Sequence, residues 1–463
     1  MSNAHDLDTP DLATLLPQVG QYLDEFVTGL EAAPADGTGA ARPPAFDAPA
    51  EDPTDLDKLL DTVREAASVA VETAGPRYFG YIPAGGVVSS ATGELIGRVL
   101  NRFTGVADLA PGLVALEDSV LRWLTAVFGL PAGANGILTT GGSQAMLSMV
   151  LAARERHLGT EHLAQGRIYL CDQAHRSVQK ATHIAGFPGS AIRLIPTRDG
   201  RHIDPAAAAQ AIEQDRTAGL RPFMLIGTAG TTNAGTVDPL QELAALASEQ
   251  DMWFHVDGCY GGFFQLTERG HARLAGIERA DSISLDPHKS LFLPYGTGAL
   301  LVRDPATLTH AHTDSDPADY LQDLADTGLP EYADHSTELT REHRGLRLWL
   351  PLQLHGVGAF RAALDEKLDL AQYCYEALAA QPQLELIEPP ELSTVVFRLR
   401  DGDDDANRAL FQAINATGRV FCSSTRLDGL FTLRVCILSF RTHREHVDEL
   451  LDIIRDNLPG AHG

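Results

Sequence analysis

The sequence predicts an α/β protein: a large domain on a seven-stranded, mostly parallel sheet, then a smaller C-terminal α+β domain. Three observations carry this reading. Between residues 136 and 303 short apolar runs alternate with helical stretches, and apolar strands separated by helices imply a parallel sheet covered on both faces. Each run ends in residues able to do chemistry, at the strand ends where such sheets bind their ligands. After about residue 345 the pattern changes to helices with a few strands.

In chain order, residues 9–30 read as a helix, with Thr9 or Asp11 as cap and an apolar stripe through Leu15, Val19, Leu23 and Val27. Residues 31–53 are rich in Ala, Pro, Gly and Asp and read as a linker or arm. A second helix is expected from about Asp55, with Leu56, Leu59, Leu60, Val63, Ala67 and Ala70 at helical spacing and Gly75-Pro76 ending it. Seven strands are placed at 136–138, 167–170, 192–195, 223–227, 253–256, 282–285 and 298–302. Beyond them come a helix over 346–363, another through 380, and strand-like runs at 394–399 and 431–439. The expected domains are a helical arm (1–80), a large domain (81–345) and a small domain (346–463). An arm of two amphipathic helices on a loose linker has little core of its own, so it is expected to pack elsewhere.

Bulk properties narrow the function. The 463 residues carry 36 basic and 62 acidic side chains, a net charge of −26, which disfavours nucleic acids and anionic membranes as partners. That charge fits a well-solvated surface or a host with a salty interior. Hydrophobic residues make up 44% and mean hydropathy is −0.08, a soluble globular profile. No apolar run reads as a membrane span, and MSNAHDLDTP has no signal-like apolar stretch. The five cysteines (171, 259, 374, 422 and 436) include no CxxC pair and are odd in number. Neither a disulfide framework nor a cysteine zinc site follows, and a reducing cytoplasm is expected. His271, His310 and His312 lack a convincing third ligand, so no metal is expected.

Four strand ends hold candidate chemistry. Lys289, in Asp286-Pro287-His288-Lys289, follows a buried strand. Burying an ammonium is costly, and forming an imine with an aldehyde cofactor removes that cost; an exposed loop lysine is the ordinary alternative. Asp257 ends an otherwise apolar strand. It could keep a pyridine nitrogen protonated, worth roughly 4 kcal/mol at ~4 Å and an effective dielectric of ~20, or it could simply cap the next turn. Thr139-Thr140-Gly141-Gly142-Ser143 precedes a strong helix and could receive a phosphate, or Ser143 could serve only as a helix cap. His175, just past another strand, could stack on a flat ring or be an ordinary loop histidine.

Taken together and in this order, these residues resemble the group II pyridoxal 5′-phosphate (PLP)-dependent amino-acid decarboxylases, the set that includes aromatic-L-amino-acid, histidine and glutamate decarboxylases. The resemblance runs from Pro76-Arg77-Tyr78-Phe79-Gly80-Tyr81 to Leu433-Arg434. It rests on Asp-Pro-His-Lys-Ser, with His-Val-Asp-Gly placing Asp257 32 residues before Lys289, and on Asp-Gln-Ala-His-Arg-Ser around His175. It implies the aspartate-aminotransferase-like fold (fold type I) and homodimers with sites at the interface. It further implies that Lys289 bears the cofactor with His288 beside it, that Asp257 pairs with the ring nitrogen and that His175 stacks on the ring. Gly142 and Ser143 would hold the phosphate, and Thr232 would lie near the phenolic oxygen. Cys259 stands where the family often has Ala, so it packs rather than reacts.

Tyr81-Ile82-Pro83-Ala84 matches the aromatic enzymes' substrate wall with two changes, and Phe103-Thr104-Gly105-Val106 lacks a pocket Trp found in animal members. The acidic segment 310–343, with Asp314, Asp316, Asp319, Asp323 and Asp326, matches the family's mobile loop. The resemblance makes Tyr332 its candidate proton donor to Cα, with Tyr320 as competitor. The implied activity is PLP-dependent decarboxylation of an L-amino acid. Alternatives are an aminotransferase or carbon–carbon lyase on the same fold, or a PLP-binding regulatory protein, against which no basic patch or DNA-binding module is visible.

Overall fold

The computed structural model describes residues 10–36, 46, 48, 51–83, 85–313 and 325–460. Its large sheet contains β1 (Asn135–Thr139), β2 (Gly166–Cys171), β3 (Ile192–Ile195), β4 (Arg221–Thr228), β5 (Trp253–Gly258), β6 (Ser282–Leu285) and β7 (Gly298–Val302). The strand order is β1-β7-β6-β5-β4-β2-β3. Strands β2 to β6 run parallel, and β7 is antiparallel to both its neighbours. Every residue of β2, β5, β6 and β7 is buried. Helices on both faces cause this, and it is why these strands read as continuous apolar runs.

Before and between the strands lie α1 (Leu12–Gly29), α2 (Leu56–Ser68), α3 (Val88–Leu100), α4 (Pro111–Val127), α5 (Gly142–His157), α6 (Ser177–Ile184), α7 (Pro205–Thr217), α8 (Leu240–Glu249), α9 (Glu268–Arg273) and α10 (Ala306–His312). The chain continues through α11 (Gly345–His355) and α12 (Val357–Ala379) into a four-stranded antiparallel sheet. Its strands are β8 (Leu384–Leu386), β9 (Thr394–Leu399), β10 (Ser423–Leu427) and β11 (Leu430–Cys436), in the order β10-β11-β9-β8. Two more helices, α13 (Asp404–Ala416) and α14 (Arg444–Asp456), complete this unit. Among the described residues no helix is long and apolar enough to cross a membrane.

The structure corrects several expected boundaries. Asp11 caps α1, its carboxylate accepting the Thr14 N–H, whereas Thr9 lies outside the described residues. Helix α2 stops at Ser68 rather than Gly75, because Val71 bridges to Asp36 and the Glu72 N–H donates to the Ala35 carbonyl. The helix expected over 346–363 is two helices, broken at Gly356, whose φ of +74° suits glycine. Core packing also crosses the expected division at 346. Leu348, Phe360 and Leu364 belong to the large core, whereas Leu370, Cys374 and Leu378 join the second core together with Phe79. Helix α12 therefore ties the two cores together, and the carboxyl ends of β1, β2, β4, β5 and β6 all open toward one cavity.

Candidate active site

A cavity of about 320 Å³ lies beyond those strand ends. It is lined by Gly142, Ser143, His175, Thr232, Asp257, Cys259, His288 and Lys289, so all eight sequence-derived cofactor positions meet here, brought by the ends of five strands, β1, β2, β4, β5 and β6. Tyr332 is not among its lining residues.

Lys289 sits at the turn after β6. Its Nζ lies 2.8 Å from Oδ2 of Asp286, a carboxylate only 3% exposed. Burial works to lower the lysine's pKa, but the Asp286 charge outweighs it, and the net shift is upward. His288 donates from Nδ1 to the Thr297 carbonyl at 2.7 Å, which fixes its tautomer. Burial lowers its pKa against the opposing pull of Asp286, so the ring is neutral at pH 7.

Asp257 is 5% exposed and pairs in register with Thr228 on one side and Ser284 on the other. Its partners among the described residues are neutral: the Cys259 N–H at 3.1 Å and the Ser284 hydroxyl at 3.4 Å. His255, two residues earlier on β5, supplies no charge, since burial holds its pKa down to about 4. A buried carboxylate so placed is costly unless a cation meets it in the cavity. The Cys259 thiol is pushed well above its usual pKa by burial and by the nearby carboxylates, so it packs as a neutral group.

At the far wall, α5 begins at Gly142, whose N–H donates to Asp286 Oδ1 at 2.7 Å. A Cβ on Gly142 would lie 2.5 Å from Cys259 Sγ and 3.1 Å from Asp286 Oδ2. Only glycine lets this helix start come so close, and a helix N-terminus with exposed amides suits a phosphate. His175 accepts the Ser177 N–H at Nδ1 (3.2 Å) with the Ser177 hydroxyl 2.8 Å away, so the ring proton resides on Nε2. Thr232 is followed by Asn233, whose side chain joins Gln173 (3.0 Å) to Thr425 of β10 (2.7 Å). Tyr260 ties the same wall to β9 through Ser393 and Thr394 at 2.9 and 3.0 Å.

Sequence reasoning gave no individual role to several wall residues, Thr140, Gln144, Ser177, Thr228, Tyr260 and, above all, Asp286, although most lie in the strand-end motifs it singled out. The signal for Asp286 was present, since it stands three residues before Lys289 in the same turn. Tyr81, expected in the substrate wall, is held by its N–H to Ser423 Oγ (3.0 Å), with its ring 6.4 Å from Phe421. Ala84 lies outside the described residues.

Within the single chain Tyr332 does not reach this cavity. It lies in a short 3-10 turn, 0% exposed, with the Arg341 guanidinium 4.8 Å from its ring centroid and no hydrogen-bond partner for its hydroxyl. Asp314, Asp316, Asp319, Tyr320 and Asp323 lie outside the described residues.

The donor set fits pyridoxal 5′-phosphate: an amine for the aldehyde, an unpaired buried carboxylate for the ring nitrogen and a glycine-floored helix start for the phosphate. Residues 41–400 match the model of the pyridoxal-dependent decarboxylase conserved domain. The chain is 32% identical over 409 residues to an aromatic-L-amino-acid decarboxylase of Bacillus atrophaeus, covering 86% of this chain and 84% of that one. It is 33% identical over 428 residues to tyrosine decarboxylase 2 of Arabidopsis thaliana, covering 88% and 78%. The structure of Catharanthus roseus tryptophan decarboxylase in complex with L-tryptophan superposes with a TM-score of 0.90 at 26% identity, over 98% of this chain and 99% of that one. The aminotransferase, carbon–carbon lyase and regulatory alternatives gain no support from these matches. The fold, the convergence of Lys289, Asp257 and the glycine turn, and the family match agree: the chain belongs to the pyridoxal-dependent decarboxylases and is a PLP-dependent amino-acid carboxy-lyase.

Proposed function

We propose that this decarboxylase acts on an aromatic L-amino acid, with Lys289 carrying the cofactor. The observation that carries the assignment is the half-buried Lys289, paired with buried Asp286 in a cavity that also holds the start of α5. When bound, PLP supplies the aldehyde that captures the amino group and the ring that accepts the electrons left by departing CO2. Asp257 would hold a proton at the ring nitrogen. Gly142 and Ser143 would receive the phosphate, Thr232 would serve the phenolic oxygen, and Cys259 would fill space beside the ring. His288 stays neutral next to Lys289. His175 would pack on the ring, and its Nε2 proton would be available to the reacting carboxylate or to Cα.

Aromatic substrates are supported by the aromatic amino acids named for the similar decarboxylases. Beside the site, Tyr295, largely exposed, lies 5.7 Å from the His288 ring. Measuring CO2 release from each standard amino acid tests this. Fastest turnover of Trp, Tyr or Phe is expected, and preference for His or Glu would overturn it.

The working unit is a homodimer. Helices α1 and α2 bury no residue within the single chain, and Leu16, Leu23, Phe26 and Val63 on them, with Leu95, Ile96 and Val99 on α3, are exposed. A second copy covers this apolar surface. A monomeric mass in solution at full activity would rule the dimer out. Five buried, unbridged cysteines accord with a reducing cytoplasm.

A further inference from the structure

We propose that Asp286 is an internal stand-in for the cofactor's phosphate, and that its charge weakens the grip on that phosphate so that the cofactor can exchange. This rests on the reading above, in which Lys289 and the start of α5 hold PLP.

Asp286 occupies both ends of the cofactor's expected footprint. Oδ1 takes the Gly142 N–H, the first amide of α5, at 2.7 Å. Oδ2 takes the Lys289 ammonium at 2.8 Å and lies 3.7 Å from His288 Nε2. In this state the carboxylate satisfies a helix-start amide and the half-buried lysine cation. The arrangement is closely built: a Cβ on Gly142 would meet Asp286 oxygens at 3.1 and 3.4 Å, and one on Gly141 would sit 3.9 Å from Oδ1.

Loading the cofactor changes both contacts. Lys289 would condense with the aldehyde, losing water and keeping its positive charge as a protonated imine, and the Gly142 N–H would be drawn to a phosphate oxygen. Asp286 would then share the site with a phosphate after losing its Gly142 donor, and one lysine charge would face two anions. His288 offers it no charge, being neutral and committed through Nδ1 to Thr297. Two anions at close range repel strongly where water is excluded. The carboxylate therefore stabilises the empty site and opposes the loaded one. An amide of the same shape would keep one acceptor for the Gly142 N–H, present a donor where the second oxygen was, and remove the opposition.

The test compares two aldehydes that differ only in the phosphate. Apoprotein of the full chain, wild type and Asp286→Asn, is titrated with PLP and with pyridoxal, following absorbance, and the ratio of the two dissociation constants is taken. Loosening Lys289 alters both ligands alike and cancels in that ratio. Asp286→Asn should raise the preference for PLP over pyridoxal by about tenfold or more, and Asp286→Ala should shift it the same way if the amide variant folds poorly. An unchanged or lowered ratio in the variants overturns the stand-in role. If wild-type protein takes up neither aldehyde on Lys289, the cofactor reading itself fails, which is a separate outcome.

Discussion

Two polar clusters lie near β1, one partly open and one buried, and only the first has room beside it. Around Lys289, the groups Asp286, Asp257, His288 and His175 border a cavity of about 320 Å³. The other cluster is centred on Glu117 of α4, which is fully buried. It accepts Arg341 Nη2 at 2.7 Å and the Arg344 and Gly345 N–H groups at 3.2 and 3.1 Å. Arg344 is held in turn by Glu338 at 2.7 and 2.8 Å and by the Leu138 carbonyl at 3.1 Å. The second cluster is as charged as the first, yet it is closed by its own ion pairs and pins α11 against β1. The difference teaches that burial and charge do not by themselves make a site. A carboxylate whose hydrogen-bond partners are neutral and which borders open space, as Asp257 does, has capacity left for a ligand; Glu117, closed by Arg341 and two backbone amides, has none.

The comparison can be broken by substitution. Asp257→Asn should still bind PLP yet lose up to about a thousandfold in turnover, the value of roughly 4 kcal/mol of ring-nitrogen stabilisation; near-normal kcat would remove Asp257 from the chemistry. Glu117→Ala should do the reverse. It strands buried Arg341 and should cost about 3–5 kcal/mol of stability, read as a lowered Tm, while the fraction that folds retains PLP binding. Loss of binding without loss of stability would make Glu117 part of the site.

A third, milder effect concerns the clasp between the loop after β3 and the segment entering β9. His202 meets Asp199 at 2.6 Å and Glu391 at 2.7 Å, while Arg273 lies 3.8 Å from Glu391. The Glu391 bond, against burial and helped by Asp199, raises the imidazole from 6.5 to about 9. A raised histidine stabilises the fold fully below its unfolded pKa and loses that contribution as pH climbs through the folded one. Stability should therefore fall between pH 6.5 and about 9, and His202→Gln should flatten that slope in urea melts. An identical slope in the variant would reject the clasp.

The smallest effect belongs to Tyr332. Its hydroxyl is buried without a partner, so Tyr332→Phe should change stability by no more than about 1 kcal/mol and leave the amine yield intact. A fall in amine yield would show that the 3-10 turn leaves its packing during turnover.

Legibility followed burial. Strands β2, β5, β6 and β7 are apolar on both faces and stand out in the sequence. Strand β10 (Ser-Ser-Thr-Arg-Leu) does not, since it forms by pairing with β11 rather than by its own apolar pattern. The three-residue β8 is too short to carry a period. Lys289, Asp257, His175 and Gly142 are legible because each follows a strand and motif spacing singles them out. Asp286 was hidden inside the Lys289 motif, since its importance lies in a bond to Gly142, 144 residues away. Tyr332 was read from its place in a loop, and sequence could not reveal that Arg341 and Glu117 enclose that stretch.

The central claim is that Lys289 holds the cofactor. Loading the full chain with PLP, reducing with borohydride and mapping the labelled peptide tests it directly. The account predicts a yellow protein before reduction and one modified peptide, containing Lys289. A label on any other lysine, or none at all, would contradict it.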